Sequence, residues 1–321
     1  MALRAHRSLL VAALLSGVAS AGAQPISAYR GPCDASAAVA LDADHFVVGE
    51  DERNALHVYR RGQDQAVGTV PLSRFLGTRA DGESDIEGAA LIGSRIYWIT
   101  SHGRDSHGKS FQSRRRIFAT DIVPGSSPTV TPVGSPYAGL LRDIKDAPEL
   151  KPYRLGKAAK RAAEAEGGFN IEGLAATPDG QLLIGLRNPV PQGRALLIPL
   201  RNPAGVVQGE RARLGSPIEL DLGQRGIRSI DLVGSSYLIS AGPPADVGTF
   251  AVYRWSGRTG EAAVTINGVD LKDLRPEALF AIPQTASVQL LSDDGGLQVE
   301  GVECKKLSPA RQTFRSLTFT P

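Results

Sequence analysis

Five stretches of this chain are built on one plan, and that repeat constrains the fold more than any single motif does. They begin at Ser36, Glu87, Glu172, Arg228 and Glu277. Each opens with a short apolar segment, turns tightly at pairs such as Asp179-Gly180 or Gly93-Ser94, and continues into an alternating strand with a polar or glycine-rich end. Two more strand candidates follow each hairpin. The third strands start near Ala55, Arg116, Ala195, Phe250 and Phe314, and the fourth near Val67, Thr129, Pro217 and Ala262. The fifth repeat runs out of chain before a fourth strand, and the segment that follows Pro25 supplies one. Four-stranded units around a ring make a β-propeller, here sealed by an N-terminal strand. The expected fold is all-β, a propeller of five blades.

The starts lie 51, 85, 56 and 49 residues apart. The long interval holds an insertion over about 138–168, where Lys157-AAKRAAEAE has the composition of an exposed helix stopped by Gly167-Gly168. A sixth blade hidden there is the alternative; the absence of strand alternation speaks against it.

Arg4 and Arg7 precede the apolar run Leu9 to Val18, and small-residue cleavage sites follow up to Ala23. This reads as a secretory signal peptide over 1–23, leaving 24–321 as a single propeller domain. The run is about ten residues long, where roughly 20 are needed to span a bilayer. With no later run of 18 apolar residues, the expectation is a soluble periplasmic or extracellular protein without a membrane anchor. Lys and Arg number 36 against 33 acids. The signal peptide carries two of those cations, so the remainder stands near neutrality and carries no nucleic-acid footprint.

Cys33 and Cys304 are the only cysteines. Export permits a disulfide between them, with free buried thiols as the alternative. On the propeller, Cys33 lies between the closing strand and blade one, and Cys304 lies between the second and third strands of blade five. Those connections share a face and adjoin, so a bond would fasten the seam. For so long a loop the chain-entropy model assigns it roughly 4 to 5 kcal/mol.

In a blade the innermost strand begins, and the next strand ends, on one face around the central channel. The repeat therefore gathers Ser36, Glu87, Glu172, Arg228 and Glu277 with the strand-end residues Glu50, Asp51, Glu52, Arg53, His102, Arg104, Arg187, Asn188, Asp293 and Asp294. Three glutamates on one axis must be protonated, paired with arginine or bridged by a cation. Glu87, Glu172 and Glu277 are thus candidate Ca²⁺ ligands. Arg104, Arg187 and Arg228, with Asn188, Asp51 and Asp293, are candidates to hold a small anionic molecule. Catalytic roles fall to Glu172 and to His102, the latter as a general acid or base. A structural ring of ion pairs accounts for the same residues equally well.

Other motifs point less clearly. His107 pairs with His102 without the spacing of a helical zinc site. Asp81-GESDIE opens like a calcium loop but has Ile86 where the turn glycine belongs. Nucleophile elbow, metalloprotease, phosphate-loop and dinucleotide motifs are all missing from the sequence.

The strings Cys33-DASAAVAL, Asn170-IEGLAATPDGQLLIGLRNP and Ile227-RSIDL, behind a signal peptide, resemble a family of secreted bacterial proteins classified only as a domain of unknown function. The Glu-Gly-x-Ala opening also looks like that of the esterase-like phytase family and, more distantly, of calcium-dependent lactonase and phytase propellers. That resemblance implies a propeller with metal ligands at Glu87, Glu172 and Glu277; Ser36 and Arg228 depart from a full acidic ring. Two functions follow as expectations. One is metal-assisted hydrolysis of phosphate or carboxylic esters, with Arg187 and Arg228 fixing the anion and His102 exchanging a proton. The other is a non-catalytic module that captures a periplasmic protein or glycan, aided by the insertion. A monomer is expected in either case.

Overall fold

The computed structural model describes Gln24 and residues 26–321, apart from Asp51, Ala80, Asp81, Asp246 and Lys272. The expected signal peptide and the candidate Asp51 lie outside the described residues. Five four-stranded antiparallel sheets account for the repeat. From the inside outward, blade one is Ala35–Ala40, His45–Glu50, Ala55–Arg60 and Ala66–Pro71. Blade two is Ile86–Ile92, Arg95–Thr100, Ile117–Val123 and Thr129–Tyr137. Blade three is Asn170–Ala176, Leu182–Asn188, Arg194–Leu200 and Ile218–Asp221. Blade four is Gly226–Val233, Ser236–Gly242, Ala251–Trp255 and the two-residue Val264–Thr265. In blade five, Pro276–Ala281, Val288–Ser292 and Thr313–Phe319 are completed by the N-terminal Ile26–Arg30.

Each innermost strand packs beside the next, and that of blade five returns to that of blade one. The ring is closed, as a five-bladed propeller requires. Its apolar interior is divided into clusters between neighbouring blades. Trp98, Ile86 and Phe118 fill the space between blades one and two, and Trp255, Ile227 and Leu197 that between blades three and four. Glycine sets the approach of the blades at these joints. A Cβ on Gly173 would stand 2.7 Å from Ile227 Cγ2, and one on Gly88 3.0 Å from Leu174 Cβ. This explains the Glu-Gly pairs of the repeat, in which the glycine admits the adjoining blade.

Ile26–Arg30 pairs antiparallel with Thr313–Phe319, Tyr29 opposite Phe314. Cys33 and Cys304 form a disulfide with a Cα–Cα distance of 6.0 Å. The seam is therefore held by a strand, a covalent bond and a hydrogen bond from Asp294 N–H to the Cys33 carbonyl at 2.9 Å.

The insertion corrects one expectation. Its helices are Leu140–Asp146, the 3-10 turn Pro148–Tyr153 and the short Leu155–Ala158, and residues 159–168 form turns rather than an exposed helix. Helix propensity yields here to tertiary partners. The Ala159 carbonyl accepts from Arg104 Nε at 2.9 Å, and the Ala163 and Ala165 carbonyls each accept from Asn188 Nδ2 at 2.8 Å. Leu140, Ile144, Leu155 and Ala158 are buried against blades two and three.

Candidate axial binding site

Between the two inner strands, the register of every blade slips at a common place. Pairing passes from Ala35 to Ala37, Ile86 to Gly88, Ile171 to Gly173, Ile227 to Ser229 and Pro276 to Ala278. The residues passed over are Ser36, Glu87, Glu172, Arg228 and Glu277. A bulge leaves its extra residue outside the ladder and re-aims its side chain. All five of these side chains line a cavity of about 430 Å³ at the axis.

A second tier stands two residues earlier, where strand alternation brings side chains back to the same face. Asp34, Asp85, Asn170 and Arg275 line the cavity as well. Blade four contributes Gly226 at this position, where a Cβ would lie 1.9 Å from the Arg187 carbonyl oxygen. Loops and second-strand ends add Glu52, Glu83, Arg104, Arg114, Glu164, Arg187, Asp293 and Lys305.

The two sides of the cavity differ. Toward blades three and four the acids are neutralised. Glu172 Oε1 accepts from Arg187 Nη1 at 3.0 Å and from Asn170 Nδ2 at 2.9 Å, while Glu172 Oε2 lies 3.1 Å from Arg228 Nε. Arg228 Nη2 also donates to Glu277 Oε1, and Ser36 Oγ donates to Glu277 Oε2 at 3.2 Å. The Arg228 guanidinium stacks 5.6 Å from the Phe250 ring centre. It bridges two glutamates, as an ion-pair ring requires.

Toward blades one and two, carboxyl groups exceed their partners. Glu87 is 9% exposed, faces the cavity, and has no hydrogen-bond or ion-pair partner among the described residues. Burial, with Asp85 and Glu172 nearby, pushes its carboxyl well above the ordinary range. Asp34 is pushed up to about 9 by burial and by the adjoining Asp293. Burial and Asp85 raise Glu83 to about 7, although Arg114 contacts both Glu83 and Asp85. In all three the first cause is burial, and the neighbouring acids add to it.

The structure brings Glu87, Glu172, Glu277, Arg104, Arg187, Arg228 and Asp293 to the cavity and leaves His102 and Asn188 off its lining. His102 is 1% exposed, and its Nδ1 is 2.8 Å from the Thr100 carbonyl. Burial lowers its pKa to about 4, so it is uncharged at neutral pH. Asn188 secures the insertion, and Arg104 donates from Nε and Nη1 to the Ala159 and Gly108 carbonyls. Arg228 is seated between Glu172 and Glu277, and among the described residues no three acids, histidines or cysteines stand together as a metal-ligand group.

The molecule thus belongs to the class of five-bladed propellers with a charged axial cavity. Residues 138–290 match the model of a family described as protein of unknown function (DUF3616). No curated protein matches the sequence. Among solved structures, the glutaminyl cyclase of Myxococcus xanthus is similar over 92% of this chain and 95% of that one, at 13% identity and a TM-score of 0.46. The PQQ-bound aldose sugar dehydrogenase of Streptomyces coelicolor is similar over 92% of this chain and 100% of that one, at 11% identity and a TM-score of 0.42. The likeness to esterase-like phytases rests on the sequence motifs alone.

Proposed function

We propose that this is an exported binding protein whose axial cavity receives a small ligand by a positively charged group, an organic cation or a hard metal ion such as Ca²⁺. The observation that carries this reading is Glu87, a buried acid that faces the cavity without a partner. Ten acids line the space against six arginines and lysines. An incoming cation supplies the missing charge, while Arg187 and Arg228, the cations deepest among the bulge residues, are already bound to Glu172 and Glu277. Binding also suits the geometry better than metal-assisted ester hydrolysis, which needs Glu87, Glu172 and Glu277 free to share one ion. The Cys33–Cys304 disulfide supports export to an oxidising compartment. Among the described residues no helix is long and apolar enough to cross a membrane.

The test is calorimetric titration of the protein at pH 8 with methylammonium, methylguanidinium and CaCl₂, together with native mass spectra before and after EDTA. At least one cation is expected to bind, and Glu87→Gln to weaken it tenfold or more. A bound calcium lost to EDTA selects the metal form. Binding of phosphate or acetate with no response to any cation would overturn the proposal.

A further inference from the structure

The axial cavity does not end at the axis. A trough of about 930 Å³ leads outward between blades four and five, and Phe250, Arg275, Asp293 and Gly296 line both spaces. Its size is near the top of the range of about 300–1,000 Å³ usual for ligand sites. The trough is open because the outer strand of blade four has only two residues, where blades one and two have six and nine. Ile266, Val269, Leu271 and Leu297 give it an apolar wall, Leu297 being 40% exposed.

Two arginines in this trough have different roles. Arg315 is held by both oxygens of Asp294, at 2.7 and 2.9 Å, and by the Asp273 carbonyl. Arg275, at the junction with the axial cavity, is exposed, and its guanidinium has no partner among the described residues. A complementary ligand therefore has positive charge at the axial end, a carbonyl or carboxylate at the junction and apolar groups beyond.

We infer that the ligand is a short peptide with a free amino terminus, its ammonium group seated in the axial cavity, its backbone passing Arg275 and its apolar side chains lying in the trough. This rests on the axial cation reading and names the ligand class for it. A peptide combines those three chemistries in that order along an extended chain.

The experiment compares three probes by calorimetry on the mature chain at pH 8: L-alaninamide, the tetrapeptide Leu-Ala-Leu-Ala, and the same tetrapeptide N-acetylated. The free tetrapeptide is expected to bind at least tenfold more tightly than alaninamide, and acetylation to abolish binding. Leu297→Arg, on an exposed side chain, is expected to remove the tetrapeptide's advantage and leave alaninamide unchanged, with an unaltered melting temperature confirming its fold. Arg275→Ala should weaken the tetrapeptide several-fold. Equal affinity for alaninamide and tetrapeptide would overturn the trough assignment and leave the axial reading standing, as would tetrapeptide binding indifferent to Leu297→Arg. Equal binding of the acetylated and free peptides would overturn the amino-terminal seat; failure of every amine to bind would overturn the peptide assignment whole, and the axial cation reading with it if CaCl₂ fails to bind too.

Discussion

Glu172 and Glu87 occupy the same position in neighbouring blades, each on a bulge and each followed by a glycine, yet one is neutralised and the other is not. Glu172 has Arg187 and Arg228 beside it; Glu87 has Asp85 near it and feels Arg228 and Arg187 without an ion pair to either among the described residues. The difference teaches how one repeated device serves two ends. Where a bulge residue finds its counter-charge within the protein, it contributes to the ring. Where it does not, the deficit remains, and it is this deficit that the proposed cation would meet.

The largest effect is expected on the neutralised side. Arg228→Met strands Glu172 and Glu277 without their shared cation, and removing one partner of a buried pair costs about 3–5 kcal/mol. Urea denaturation measures this; a loss below 1 kcal/mol would deny the bridge its structural role. Glu87→Gln, on the other side, should leave the melting temperature undiminished, because an uncharged acid is replaced by its isostere. Its cost appears in cation affinity, at about 1.5–3 kcal/mol for a charged hydrogen bond, or tenfold or more in Kd. A variant that melts much earlier and binds normally would reverse the comparison.

The pH dependence separates the two sides more finely. Folded Asp34 holds its proton up to about 9, against an ordinary value of 3.8. Its stabilising contribution is thus complete below 3.8 and is lost as pH rises toward 9, and Glu83 adds the same trend up to about 7. Asp34→Asn should flatten that decline in the melting temperature relative to the parent protein. Cation affinity should run the other way, rising through the same window as the carboxyls ionise. The smallest effect belongs to His102→Asn. With its pKa lowered to about 4 and its ring off the cavity lining, it should leave cation affinity unchanged between pH 5.5 and 8. Removing its buried hydrogen bond should cost about 1 kcal/mol of stability.

The blades, their closure and the disulfide were legible because alternation, tight turns and repeat spacing are local signals that agreed with one another. The bulge tier was legible too, since each repeat starts on it. The tier two residues earlier is not legible in the repeat, because Asp34, Asp85, Asn170 and Arg275 precede the aligned segments. At the strand ends, alternation decides which residue faces the axis. Arg187 and Asp293 line the cavity while their neighbours Asn188 and Asp294 do not, because successive side chains face opposite ways. Asp85 and Glu83 lay in a stretch set aside as a poor calcium loop; they reach the cavity as wall residues instead. The insertion is helical as its composition implies, but its helices lie within 140–158: Ala, Lys and Glu favour a helix beyond that, where Arg104 and Asn188 claim the carbonyls that one would use.

The most direct test of the unneutralised acid is calorimetry of cation binding at pH 7 in buffers of different ionisation enthalpy, which counts protons released. If Glu87 is uncharged in the free protein and ionises as the cation enters, release should approach one proton per ligand and fall in Glu87→Gln. Binding of the cation with no proton released, and with the same affinity in Glu87→Gln, would contradict it.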